Sequence, residues 1–140
     1  MRNLTEELYA YALADVVVSG FMTSIGNRFY DTEAPQGAVY PYVVYLIVSD
    51  VKDWQFVERF EDVLIQFSIF STASSSGEAK DIYTKLLALF DEQYLNIAAM
   101  VQFLWMWRNI TTIMKEDHTT PTGTVGVWHI AVDFDIFYEV

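Results

Sequence analysis

The chain has 140 residues, 53% of them apolar and 16% aromatic, with only six glycines and three prolines; this is the length of one domain, with enough apolar surface for a core and no disordered or fibrous signature. Nineteen acidic side chains against eight basic ones leave a net charge of −11, which excludes generic binding to nucleic acid and disfavours an anionic membrane surface, because both rely on clustered Lys and Arg. The absence of Cys excludes thiol chemistry, zinc-thiolate sites and iron–sulfur clusters.

Glu6 and Glu7 stand where a cleaved export signal needs a basic start and an apolar run, so no such signal is expected. The longest apolar runs, Val39 to Val48 and Ala98 to Trp107, are far shorter than the ~20 residues of a membrane helix.

Leu4, Leu8, Tyr11 and Ala12 recur at helical spacing and predict a helix over 4–16, with Asn3 as its cap and Ser19-Gly20 ending it. Residues 26–37 read as a loop in which Pro35 and Gly37 set a turn. Tyr42 to Val48, β-branched and aromatic, predicts a strand buried on both faces. Asp50 to Arg59 is long for a tight hairpin and mixes charges with Trp54 and Phe56, which predicts an arm extending that hairpin. In Glu61 to Phe70, Val63, Ile65, Phe67 and Ile69 alternate with Asp62, Leu64, Gln66, Ser68 and Phe70, a strand with one core face and one half-polar face.

The small residues Ser71 to Gly77 lead into Ser75-x-x-Glu78, a capping-box pattern, and a helix to Gln93 follows with Ala79, Ile82, Tyr83, Leu86, Leu89 and Phe90 on its buried side. Met100 to Thr111 and Val125 to Val140 supply two last strands. In the second, Trp128, Ile130, Val132, Phe134, Ile136 and Tyr138 oppose His129, Ala131, Asp133, Asp135, Phe137 and Glu139. Between them Lys115 to Gly126, polar and containing Pro121 and two glycines, reads as a mobile loop. The predicted fold is α+β in one domain over 1–140, an antiparallel, mostly four-stranded sheet with two helices packed on one face.

No residue set commits to catalysis, a cofactor or a metal. Asp133 and Asp135 share a strand face, which suits paired acids or a hard cation, but alternation already places polar residues there. His118 and His129 lack a nucleophile elbow and metal-ligand spacing and read as surface or interface residues. Gly123-x-x-Gly126 precedes a strand rather than a helix, so it does not cradle phosphate. Trp105 and Trp107 lack a basic groove and read as core. The residues themselves reach only an acidic interaction module.

Asn27-Arg28-Phe29-Tyr30, then Ala34-Pro35-Gln36-Gly37-Ala38-Val39-Tyr40-Pro41-Tyr42-Val43-Val44-Tyr45, then Val63-x-Ile65-Gln66-Phe67-Ser68-Ile69-Phe70-Ser71 resemble, in order and spacing, the tail-completion (tail terminator) proteins of long-tailed bacteriophages. Asp117-His118-Thr119 and the closing stretch Trp128 to Glu139 fit the same pattern. The Trp54–Phe56 arm and the Leu95 to Trp107 stretch are longer and more aromatic than the pattern.

The resemblance implies a non-enzymatic virion protein without a cofactor. It implies a homo-oligomeric ring, commonly a hexamer, on the head-proximal end of the tail tube, which stops tube growth and offers a docking surface to head–tail connector proteins. Trp54, Phe56, Arg59, Asp117 and His118 are then expected at subunit or tube contacts. Asp133, Asp135 and Glu139 are expected to face a channel through which genomic DNA passes without specific binding. A connector (neck) protein of similar fold and a small acidic ligand-binding module are the alternatives. The ligand-binding module would bind no tube.

Overall fold

A computed structural model of the protein describes residues 2–14, 19–55, 58–95 and 104–139. Leu4, Leu8 and Ala12 fall on one face of helix α1 (Arg2–Ala14) and are fully buried, as their four-residue spacing requires. Asn3 lies inside this helix rather than capping it, and the predicted continuation through 15 and 16 lies outside the described residues. Gly20, in the left-handed region at φ 71°, precedes a single helical turn, α2 (Phe21–Ser24). One turn is too short to show a period, yet Phe21, Met22 and the following Ile25 are all buried.

Strand β1 (Phe29–Asp31) pairs in parallel with the start of β2 (Tyr42–Gln55), and β2 pairs antiparallel with β3 (Glu58–Ser71). Helix α3 (Gly77–Phe90) and strands β4 (Gln93–Leu95), β5 (Leu104–Thr120) and β6 (Gly123–Glu139) follow. The sheet order is β1-β2-β3-β6-β5-β4. The four long strands are antiparallel, as predicted. Among the described residues two three-residue edge strands, one of them parallel, make the sheet six-stranded, and α2 makes three helices instead of two. Three residues are too few to carry a readable alternation.

All three helices bury side chains into one cluster with Val43, Tyr45, Phe67 and Phe134 of the sheet, so they share one face. Phe67 sits at its centre, with ring centroids 5.3 Å from Phe90, 5.4 Å from Phe134, 6.1 Å from Phe29 and 6.3 Å from Tyr45. Among the described residues no helix lies on the other face; the loop before β2 covers it at the β5–β6 end, where Val127 is buried and Tyr40 reaches His118. The strand expected to be buried on both sides is therefore buried on one: Val43 and Tyr45 are inside, while Leu46 and Val48 are 39% and 52% exposed.

Ser75-x-x-Glu78 does not close as a capping box. The N-cap is Ser76, with no side-chain cap, and the Glu78 carboxylate accepts a 2.8 Å hydrogen bond from the buried Ser71 hydroxyl at the end of β3. Glu78 thus fastens the helix start to the sheet. At the other end Asp91 accepts a 2.8 Å bond from the Arg108 backbone N–H of β5. The helix stops at Phe90, three residues before its predicted end, and residues 93–95 join the sheet.

The expected mobile loop at Lys115 to Gly126 is strand instead. β5 and β6 stay paired out to Thr120 and Gly123, around Pro121 and Thr122, and Gly123 supplies φ 130°. Pro and Gly there mark only a two-residue turn, and the polar residues flanking it alternate along an exposed ribbon. The predicted arm does extend the first hairpin: β2 and β3 stay paired to Gln55 and Glu58.

Candidate functional site

Ladder register sorts the long strands into a helix-covered face and an open one. Asp133 and Asp135 of β6 lie on the open face. Gln66, paired with Asp133 across β3, donates a 3.0 Å hydrogen bond to it. Glu139 pairs with Phe60 at the far end of the ladder; its side chain lies outside the described residues. Asp62 of β3 adds a third carboxylate near Asp135.

Burial first, then the Asp62 charge, raises the Asp135 pKa, with Asp133 adding to the rise and a hydrogen bond from Asn109 opposing it. A carboxyl whose folded pKa lies above its unfolded one stabilises the fold at low pH and costs stability once the pH exceeds both values. Asp135→Asn is therefore expected to raise the melting temperature at pH 7, and the gain should shrink as the pH falls through the carboxylate range. Parallel thermal melts at pH 7 and pH 4 check it; an unchanged or lower melting temperature at pH 7 would refute it.

The open face is also apolar. Leu46, Val48 and Val51 of β2 and Trp105 and Ile110 of β5 are large exposed hydrophobics, while Phe60 and Phe137 stack at 4.8 Å. Trp105 and Trp107 pair with Phe137 and Asp135, so they face outward with them. The core position of that segment is Met106, fully buried. This corrects the expectation that the two tryptophans pack inside: the alternation was real, but its faces are exchanged.

The expected contact residues separate into two groups. Trp54 and Arg59 pair at the end of the β2–β3 hairpin; their side chains, and Phe56 altogether, lie outside the described residues. Asp117 and His118 sit in β5, near the β5–β6 turn. Because β3 and β6 run antiparallel, with Phe60 opposite Glu139 and Ser71 opposite Trp128, the two turns lie at opposite ends of the sheet. The seventeen residues of β6, which run between the two turns, separate them by roughly 55 Å at the rise of a strand.

Neither histidine is a simple surface residue. The Glu116 carboxylate lies 3.0 Å from His118 Nε2 and 2.9 Å from His129 Nδ1. Phe70 stacks on His129 at 4.4 Å, and the Tyr40 hydroxyl lies 3.2 Å from His118 Nδ1. Beside this group a cleft of about 450 Å³ opens between the loop at Pro35 to Tyr40 and the turn at Thr119 and Pro121. Glu116, Tyr40 and Phe70 escaped the sequence reading. The signal is the alternation Glu116-x-His118, which shows a shared face only once the stretch is strand. Among the described residues no group of three or more His, Asp or Glu side chains could hold a metal ion, and no helix is long and apolar enough to cross a membrane.

Among curated proteins none matches this sequence. Among solved structures the chain is similar to one from the virion of a native gene transfer agent (GTA) particle, with a TM-score of 0.66 and 15% identity, covering 94% of this chain and 91% of that one; at that identity the likeness is one of fold. The model of the family "Tail completion protein gp17" matches residues 6–139. That match runs from the first helix to the last residue of β6, and the chain belongs to the tail completion protein gp17 family, structural proteins of phage tails.

Proposed function

We propose that the protein assembles as a homo-oligomeric ring, a hexamer, on the head-proximal end of the phage tail tube, where it ends tube growth and presents the docking surface for head–tail connector proteins. The observation that carries this reading is the family match over 6–139. Its role is structural rather than enzymatic, and its place is the virion. Surface complementarity is the mechanism: one ring face matches the last tube ring, and the other offers no tube-like surface to further subunits.

The architecture supports assembly in physical terms. β1 covers the outer edge of β2 only at Val43 to Tyr45, and β4 covers that of β5 only at Leu104 to Met106. Among the described residues the rest of both long edges has no neighbouring strand, and such edges pair readily with other chains. In this reading the open face, with Asp62, Asp133 and Asp135, lines the channel, where acids repel DNA phosphates and let the genome pass without adhering.

Electron microscopy of tails assembled with and without the protein tests the reading. Overlong tubes are expected in its absence; tails of normal length that fail to join heads would favour a connector role instead. The hairpin end at Trp54, Phe56 and Arg59 is assigned to subunit or tube contact, since aromatics beside Arg suit interface anchors. Replacing Trp54 and Phe56 with Ser is expected to abolish ring formation or tail-length control, read by sizing and by tube length. Unchanged rings and tubes would remove that assignment.

A further inference from the structure

Four side chains close a hydrogen-bond chain at the β5–β6 end, independent of whether a ring forms. Glu116 Oε1 lies 2.9 Å from His129 Nδ1 and Oε2 3.0 Å from His118 Nε2, while His118 Nδ1 lies 3.2 Å from the Tyr40 hydroxyl. An ionised carboxylate only accepts, so both imidazole nitrogens facing it carry hydrogens. In a neutral His118 this leaves Nδ1 as acceptor and makes the Tyr40 hydroxyl the donor. In a neutral His129 it leaves Nε2 bare, in a buried position with no partner. The hydrogens are thereby ordered along the whole chain, from the tyrosine to the carboxylate and from the second histidine to its other oxygen.

The geometry joins two segments far apart in sequence. Tyr40 ends the loop that follows β1, and Glu116, His118 and His129 belong to the last hairpin. Phe70 of β3 packs against both imidazoles, at 4.4 and 6.0 Å. Val127, opposite Glu116 in the ladder, is buried. Few other titratable groups face the cluster. On β5, Lys115 lies 5.3 Å from the Trp128 ring, and Asp117 alternates to the same side as Lys115. On β2, Tyr42 packs on Tyr40 and Phe70, and burial, then Tyr40, pushes its phenol up to about 12, so it stays neutral. On β1, the Tyr30 ring lies 6.0 Å from that of Tyr42.

We propose that Tyr40, His118, Glu116 and His129 form a proton-ordered latch that fastens the 32–41 loop to the β5–β6 hairpin and opens when Glu116 loses its negative charge. The hydrogen bonds from His129 and then His118 hold the Glu116 carboxyl below the usual carboxylate range. The latch is thus fully set above the ordinary carboxylate pKa and is lost as the pH falls through the lower folded value. A protonated Glu116 places an O–H against an N–H and forfeits one of its two bonds.

The test uses NMR on the full chain: imidazole ¹⁵N shifts for the tautomers, and amide exchange in residues 33–40. Wild type at neutral pH is expected to carry its imidazole hydrogen on Nε2 of His118 and on Nδ1 of His129. Tyr40→Phe removes one hydrogen bond and should speed loop exchange roughly fivefold, the effect of about 1 kcal/mol. Glu116→Gln should speed it further and abolish the fall in protection, relative to intrinsic exchange at each pH, that wild type is expected to show in acid. The opposite tautomer at either histidine overturns the proposal, as does unchanged loop exchange in a folded Tyr40→Phe, which decides the matter if Glu116→Gln does not fold.

Discussion

Phe67→Ala is expected to destabilise the protein by about 3–5 kcal/mol, the cost of emptying an aromatic site in a packed core. Phe67 is fully buried and belongs to β3, the strand through which the first long hairpin pairs with the second. Its ring meets Phe90 of α3, Phe134 of β6, Tyr45 of β2 and Phe29 of β1. Four elements lose a partner at once, and the three that are strands cannot close the gap without leaving their ladders. Domains of this kind have a total stability of about 5–15 kcal/mol, so the loss is a large share. Urea unfolding should show a lower midpoint with an unchanged slope. A loss below about 1 kcal/mol would mean that the helix layer collapses onto the sheet more freely than this ring cluster allows.

The second large effect is functional and rests on the channel assignment. Charge reversal by Asp133→Lys together with Asp135→Lys is expected to leave tails of normal length but to slow DNA exit about tenfold or more at low salt, because each lysine offers a phosphate contact whose strength falls with salt. Asp133→Asn with Asp135→Asn removes charge without adding any and should fall between. It also controls for the lost hydrogen bond from Gln66 to Asp133. DNA release timed from purified particles at two salt concentrations reads the series. Equal release by all three proteins, or a ring structure with these acids on its outer wall, would remove the acids from the channel.

Much of the core was legible in the residues. The spacing of Leu4, Leu8 and Ala12, the run Ala79, Ile82, Leu86 and Leu89, and the alternation through Val63 to Ile69 and Ile130 to Ile136 all name side chains that are buried. Periodicity reports a face directly, so long elements declare themselves. Errors came where the signal was short or shared. β1 and β4 hold three residues each, and α2 is one turn. At Trp105 to Trp107 the alternation was plain, but hydrophobicity pointed to the tryptophans as core when the smaller Met106 takes that place. Around Pro121, turn residues of a single hairpin end coloured twelve positions as loop.

By itself, then, the sequence determined the class of fold, the two main helices, the four long strands, most of their buried faces, and a resemblance that the family match over 6–139 bears out. These rest on local spacing and on residue order, which a chain carries whether folded or not. Only the tertiary structure decided which sheet face stays uncovered, that the two hairpin ends point in opposite directions, and that Tyr40, Glu116, His118 and His129 meet. Those facts depend on strand register and sheet order. They bring together side chains as many as 89 positions apart in the sequence, Tyr40 and His129, and no local periodicity encodes a contact of that separation.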